Sequence, residues 1–325
     1  MPASGTITGL ATLLLAGWLA TTTSAADPPP PPLQVFILAG QSNMQGQGVV
    51  DLDHPKHYNG GRGTLLKVIQ VPANAKRYAH VRTAGGDWVV RDDVFVRFRT
   101  REKLKSGGLS IGFAGYPGKH HIGPEFQFGH VVGDAIQAPV LLIKTAWGGK
   151  SLHRDFRPPS ATGPTGAYYH RMLSEVHAGL ARLQQELPKP SAGGYRLAGF
   201  VWFQGWNDMF DGKARSEYQQ NLVHLVNDVR RDLRSPGLPV VIGELGNGGP
   251  KAGKNMLAIR AAQAGAARRS EGVLFVSTTA FARPAQDSPN VGHGHHWFGN
   301  AESYFLIGDA LGRGMLKLLA KPTRR

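Results

Sequence analysis

Residues 35–39 (Val-Phe-Ile-Leu-Ala) form an unbroken apolar run that enters the turn Gly40-Gln41-Ser42-Asn43-Met44. Such a run, ended by a glycine and small polar residues, predicts a strand buried on both faces whose carboxyl end opens into a tight turn. The same pattern recurs twice. Residues 140–147 lead into Gly148-Gly149, and residues 200–203 lead into Gln204-Gly205-Trp206-Asn207-Asp208. Strand-like runs at 196–203, 239–244 and 273–278 are interleaved with helical patterns at 168–187, 216–233, 256–268 and 301–319. Another helix opens at Gly123-Pro124-Glu125-Phe126, where proline is tolerated in the first turn. Alternation of this kind predicts an α/β fold with right-handed crossovers and a mainly parallel sheet covered on both faces. Ligands of such sheets bind beyond the carboxyl ends of the strands, so Ser42, Gly148, Asn207, Glu244 and the loop after Thr278 are expected to gather along one edge.

One segment breaks the alternation. Between residues 49 and 118 the chain is rich in glycine and histidine, and residues 88–98 alternate apolar with charged side chains. That period predicts a small β-rich antiparallel insertion with one wet face.

At 325 residues, the chain suits one large domain, here expected over 34–320. Residues 10–20 are apolar but too short to span a bilayer comfortably, and Thr23-Ser24-Ala25-Ala26 supplies small residues for cleavage. An export signal is therefore expected over 1–26, with a secreted or periplasmic mature chain and no stable membrane insertion. A proline-rich linker over 27–33 favours an extended spacer, and residues 321–325 form a basic tail. The absence of cysteine removes disulfides, a thiol nucleophile and thiolate metal sites. The formal net charge of +15 belongs to the mature part, because residues 1–26 carry no charged side chain. Such a field favours anionic partners. The basic residues are scattered without interleaved aromatics, so acidic glycans are favoured over nucleic acid.

Ser42 at a strand-to-helix turn suits a helix cap as well as a nucleophile, since serine needs a base before it reacts. The chain carries candidates for the rest of such chemistry. Asn207 and Gln204 have amides able to donate to an oxyanion, and Gly148 and Gly149 let a backbone N–H approach closely. His293-Gly294-His295-His296-Trp297-Phe298-Gly299 places imidazoles just before the last helical pattern. These histidines and His120-His121 are also metal-ligand types, but no acidic residue sits at a ligand spacing and no metal is expected. Trp147, Trp202 and Trp297 suit core packing. Trp206 suits a sugar-stacking surface, and Arg260 with Gln263, one helical turn apart, suits glycan contacts.

Taken together, Gly40-Gln41-Ser42-Asn43-Met44, Trp147-Gly148-Gly149, Gly205-Trp206-Asn207-Asp208 and His296 resemble the four ordered blocks of the SGNH hydrolases. More narrowly, the chain resembles the carbohydrate acetylesterases related to sialate O-acetylesterases and family 6 acetylxylan esterases, over residues 33–319. The resemblance implies a flavodoxin-like three-layer sandwich and a serine esterase that needs no cofactor and deacetylates an acetylated oligo- or polysaccharide. It implies Ser42 as nucleophile, His296 as base, and an oxyanion hole built from Ser42, Gly148 or Gly149, and Asn207 or Gln204. Gln41, Asn43, Glu125 and Glu244, in or near the motif loops, join Trp206, Arg260 and Gln263 as expected substrate contacts. Two positions depart from the pattern. His293 stands where an aspartate usually precedes the histidine, and Trp206 stands where many relatives carry glutamate. The acid partner is open among Asp287, Asp208, Glu125 and Glu244, with Asp287 favoured because it shares the histidine loop; a backbone carbonyl leaving a dyad is the other choice. The alternative function is a glycan-binding protein on the same fold without catalysis.

Overall fold

The computed structural model describes residues 1–5, 30–187 and 193–320. The expected export signal lies outside the described residues beyond position 5, the linker before position 30, and the basic tail entirely. Strands β1 (Leu33–Gly40), β2 (Gly48–Val49), β3 (Val94–Arg99), β4 (Leu104–Gly108), β5 (His121–Ile122), β6 (Val140–Ala146), β7 (Tyr195–Phe203), β8 (Val240–Gly243) and β9 (Val273–Val276) follow one another along the chain. The central sheet has the order β4-β3-β6-β1-β7-β8-β9, while β2 pairs separately with β5. Every neighbouring pair in the central sheet is parallel except β3 with β4. The helices are α1 (Ser42–Gln45), α2 (Pro55–Tyr58), α3 (Leu65–Ile69), α4 (Ala75–Tyr78), α5 (Glu125–Ala135), α6 (Ala167–Ala181), α7 (Leu183–Glu186), α8 (Gly212–Asp232), α9 (Lys254–Arg268) and α10 (Ala301–Leu319).

Successive residues of a strand point to opposite faces, and here both faces are covered. Val35, Ile37, Phe200 and Trp202 pack with Tyr169 and Met172 of α6, Leu222 of α8 and Ile259 of α9. Phe36, Leu38, Val201 and Phe203 pack on the other side with Phe126 and Phe128 of α5 and Phe305 and Leu311 of α10. Double coverage is why these strands read as continuous apolar runs instead of alternating ones. The architecture is the three-layer α/β sandwich expected. Trp147, Trp202 and Trp297 lie in these cores, where truncating a large aromatic costs about 3–5 kcal/mol.

The segment 88–98 corrects an expectation. β3 runs parallel beside β6, with β4 antiparallel on its outer side, so this β-rich segment is the edge of the central sheet and not a separate antiparallel unit. The alternation that suggested a wet face has another cause. Arg97 is buried, and its guanidinium meets Glu175 of α6 and Glu186 of α7, each at 2.9 Å. A charge paired beneath a helix produces the same sequence pattern as a charge in water. The preceding stretch folds as the short helices α2, α3 and α4.

Chain order changes direction around β1. The chain reaches β6 on one side of it before crossing to β7 on the other, so the loops after β6, β1 and β7 emerge side by side. A crevice at such a switch point is where open α/β sheets bind ligands.

Candidate active site

The turn after β1 demands glycine at its start: a Cβ on Gly40 would collide with the carbonyl oxygen of Phe203. The chain then enters α1 with Ser42 as its first residue, 8% exposed. An N–H in the first turn of a helix has no intrahelical acceptor, so the Ser42 N–H remains a donor. Beneath the turn, Lys144 and Glu125 are both fully buried and meet at 2.6 Å. The Lys144 ammonium also donates to the carbonyls of Gln45 at 3.0 Å and Phe113 at 2.7 Å. Burial pulls the Lys144 pKa down while Glu125 opposes it. The Lys144–Glu125 pair thus anchors the end of α1 and the loop above it.

Gln41 joins the serine turn to the loop after β7. Its Nε2 donates to Asn207 Oδ1 at 3.0 Å, and its Oε1 accepts from Gln204 Nε2, the Gly205 N–H and the Asn207 N–H at 3.2–3.4 Å. With Oδ1 engaged, Asn207 has its Nδ2 without a partner among the described residues, an amide donor on the wall of the crevice. Gln204 differs from expectation. Its Nε2 also donates to the Lys150 carbonyl and to Asp208, and its Oε1 accepts from Tyr218. It is buried with every polar atom engaged, so it is a strut and not an oxyanion donor. Asp208, also buried, accepts from the Leu152 and His153 N–H groups at 3.0 and 2.8 Å and so ties the loop after β6 to the loop after β7.

The two glycines after β6 separate cleanly. The Gly148 N–H donates to Gln45 Oε1 at 3.1 Å, and the Gly148 carbonyl accepts from Arg101 at 3.2 Å. Gly149 has φ 73°, nothing within 4 Å of where a Cβ would stand, and no described acceptor for its N–H. In a trans peptide the Gly149 N–H points away from the Gly148 carbonyl, and hence away from Arg101.

The histidine segment Gly294–Gly299 is irregular, with Trp297 and Phe298 in the left-handed region at φ 52° and 54°. Non-glycine residues there are held by their surroundings. Here the hold is on the backbone. The His295 carbonyl accepts from Asn43 Nδ2 at 3.1 Å and Asn247 Nδ2 at 3.0 Å, and the His296 carbonyl accepts from the Tyr304 hydroxyl at 3.2 Å. The same Tyr304 hydroxyl reaches Asn43 Oδ1 at 2.7 Å. Arg260 braces the next layer by donating to the carbonyls of Leu245, Asn247 and Gly249. The His296 ring lies against His295, tilted by 49° with centroids 4.0 Å apart, and makes no hydrogen bond with a described residue. Burial, then the neighbouring His295 and His293, push its pKa down to about 3. At neutral pH it is an uncharged acceptor.

Ser42, Gly148, Gly149, Asn207, Trp206 and His296 line one cavity of about 420 Å³ with Gln41, Gln45, Gln47, Gly115, Tyr116 and His295. No hydrogen bond joins Ser42 to His296 in this arrangement. Catalytic bonds of this kind commonly tighten with substrate bound.

Several expected contacts lie elsewhere. Asp287 is exposed, and its carboxylate pairs with no described residue; its backbone carbonyl accepts from Asn300. It does not orient His296, because its helical turn faces solvent. Glu125 is sealed with Lys144. Glu244 accepts from Ser277 and from the N–H groups of Thr278 and Thr279, capping the loop after β9. Gln263 is fully buried between the Leu245 N–H and the Gln204 carbonyl. Asn43 and Arg260 hold the histidine loop as described. A place in or near the motif loops suggests substrate contact, but polar residues there also serve to hold those loops. Tyr116, Gln45 and Gln47 were missed. Gln45 follows the serine block directly, a signal that adjacency alone provides, whereas Tyr116 sits in the irregular segment and carries none.

The chain matches, over residues 32–316, the family described as carbohydrate esterase, sialic acid-specific acetylesterase. A probable carbohydrate esterase of Arabidopsis thaliana is 26% identical over 216 residues, covering 66% of this chain and 70% of that protein. The crystal structure of an Arabidopsis thaliana protein superposes with a TM-score of 0.57 at 18% identity, over 88% of this chain and 99% of that one. A carbohydrate acetylesterase of Xanthomonas citri aligns over 86% of this chain and 56% of its own, with 13% identity and a TM-score of 0.48.

Proposed function

The chain belongs to the carbohydrate esterase family of sialic acid-specific acetylesterases, and from that premise we propose that it removes O-acetyl groups from carbohydrate through an acetyl-enzyme on Ser42. The observation that carries this reading is the convergence of Ser42, His296, Asn207 and the glycine pair, from four separate loops, on one cavity.

The uncharged His296 accepts the Ser42 proton as the serine oxygen attacks the acetyl carbonyl. Negative charge on the carbonyl oxygen is met by the Ser42 N–H, the Gly149 N–H and Asn207 Nδ2. One such donor is worth about 10²–10³ in rate. Gly149 is favoured over Gly148 because the Gly148 N–H is already bound to Gln45. His296 returns its proton to the sugar oxygen as the C–O bond breaks. Water, deprotonated by the same imidazole, then attacks acetyl-Ser42, and acetate leaves with the serine regenerated.

His296 works here without a carboxylate partner. Loss of the acid from a serine triad lowers kcat by about 10⁴, so this reading is of a dyad whose imidazole is placed by its backbone. Trp206, half-buried against His295 with ring centroids 5.8 Å apart, offers a face for a sugar ring. The net charge of +15 favours an acidic acetylated glycan. Export to the periplasm or medium is proposed from the N-terminal sequence. Among the described residues no helix is long and apolar enough to cross a membrane.

The test is mass spectrometry of the protein quenched during turnover of an acetylated sugar, together with fluorophosphonate labelling. An acetyl group and the probe, both on Ser42, are expected. Acetate release with Ser42 unmodified by either would overturn the acyl-enzyme.

A further inference from the structure

Tyr116 takes no part in the chemistry above or in the hold on the histidine loop, yet it borders the same cavity as Ser42. The loop that carries it is tightly held. The Lys105 ammonium of β4 donates to the carbonyls of Gly112, Ala114 and Tyr116 at 2.6–2.8 Å, and the Lys144 ammonium donates to that of Phe113 at 2.7 Å. At the base of the loop the Gly112 N–H donates to the His121 carbonyl at 3.0 Å. Gly115 lies directly against the Gln45 amide, where a Cβ would stand 2.5 Å from both Cδ and Nε2.

The Tyr116 ring is fixed on one face and open on the other. His121 stacks on it with centroids 4.2 Å apart and planes 29° apart. The Tyr116 hydroxyl donates to Gln47 Oε1, and Gln47 Nε2 donates to the Ser42 carbonyl at 3.3 Å. One side chain therefore ties the ring to the backbone of the nucleophile. With one face covered and its hydroxyl engaged, Tyr116 is still 41% exposed, which leaves the second face open. An open aromatic plane beside a polar cavity suits a ligand that is apolar on one face and polar at its edge. A sugar ring has that form, since its C–H face can be covered while its hydroxyls keep their hydrogen bonds. A platform ordered before binding also avoids the entropic cost of being immobilised by the ligand.

We infer that Tyr116 is a platform for the sugar ring that bears the acetyl group, and so a specificity-determining residue on the leaving-group side. This rests on the esterase reading and deepens it. Trp206 borders the same cavity from the loop after β7, and Tyr116 adds a second aromatic face from the serine side.

The test compares kcat/KM of the full chain for ethyl acetate, which carries no ring, with kcat/KM for glucose pentaacetate, acetylated xylo-oligosaccharides and O-acetylated sialic acid. The ratio of the best of these sugars to ethyl acetate isolates the sugar contact. Tyr116→Ala is expected to lower that ratio about tenfold, chiefly through a higher KM for the sugar. Tyr116→Phe keeps the ring and is expected to hold the ratio within about threefold of the parent. Thermal unfolding checks each variant, and if Tyr116→Ala fails to fold, Tyr116→Leu, apolar but without a flat face, carries the comparison. A ratio unchanged by loss of the ring overturns the inference alone. So does an equal fall on ethyl acetate and sugar, which would give Tyr116 only a hold on the serine turn, and so does a parent that cleaves ethyl acetate and none of the sugars. A parent inactive on every ester, with Ser42 unlabelled by a fluorophosphonate, overturns the esterase reading and this inference together.

Discussion

The serine half of the crevice and the histidine half are held by different means. On the serine side, side chains hold both side chains and backbone: Gln41 clasps the Asn207 side chain, Gln45 accepts the Gly148 N–H, and the Lys144–Glu125 pair lies sealed beneath. On the histidine side, the two histidines are held by their backbone. Asn43, Asn247 and Tyr304 grip the carbonyls of His295 and His296, while the His296 ring is free of hydrogen bonds among the described residues. The difference teaches that an imidazole can be placed by fixing the peptide that carries it. Such a placement fixes position without fixing tautomer or stabilising an imidazolium, which are the contributions a carboxylate would make.

Acid is expected to have the largest effect on the whole molecule. Burial holds the pKa of His296 and His130 at about 3 and that of His121 at about 4, while the unfolded chain takes up protons near 6.5. Because these folded values are lowered, protons bind the unfolded state first as pH falls. Stability is therefore complete above about pH 6.5 and declines as pH drops toward 3–4. Urea midpoints at a series of pH values read this directly; a midpoint rising on acidification through that window would contradict it. In the same series, the acidic limb of kcat/KM is expected below the ordinary histidine value, since the free enzyme keeps His296 unprotonated.

The next effects separate the two halves. Lys144→Met leaves Glu125 as a buried, unpaired carboxylate and is expected to cost about 3–5 kcal/mol of stability, read from urea unfolding. A loss under about 1 kcal/mol would mean that the serine turn does not depend on this pair. Asn247→Ala removes one of the two donors to the His295 carbonyl. It is expected to lower kcat about tenfold with little change in KM, because the loosened part is the base and not the sugar site. A rise in KM alone would place the loop in substrate binding instead. Asp287→Ala is expected to have the smallest effect, within about twofold in kcat/KM, since an exposed carboxylate that makes no hydrogen bond to the ring orients nothing. A loss of several powers of ten would restore Asp287 as the triad acid and dissolve the contrast between the halves.

Legibility in the sequence followed the same division. The strands after which Ser42, Gly148 and Asn207 emerge were visible because double burial writes an apolar run that needs no partner to recognise. Strand β3, between β6 and the edge strand β4, departs from expectation because Arg97, paired with Glu175 and Glu186 from distant helices, looks like a wet position when only neighbours are known. At the site, residue type marked which side chains were polar but not which way their hydrogen bonds run. Gln204, Glu125, Glu244 and Gln263 are fully engaged by the fold. Gln45 and Tyr116, outside the motif blocks as they were read, border the cavity. Asp287 shared the histidine loop in sequence, yet the turn carrying it faces solvent, and no sequence spacing records that.

The most direct measurement is acetate release from an acetylated glycan and from p-nitrophenyl acetate by the parent chain, Ser42→Ala and His296→Ala. Activity in the parent that falls by about 10³ or more in each variant is the expected result, because nucleophile and base act as a unit. Activity that survives in His296→Ala while Ser42→Ala is dead would contradict the account, since the imidazole held by its backbone would then not be the base.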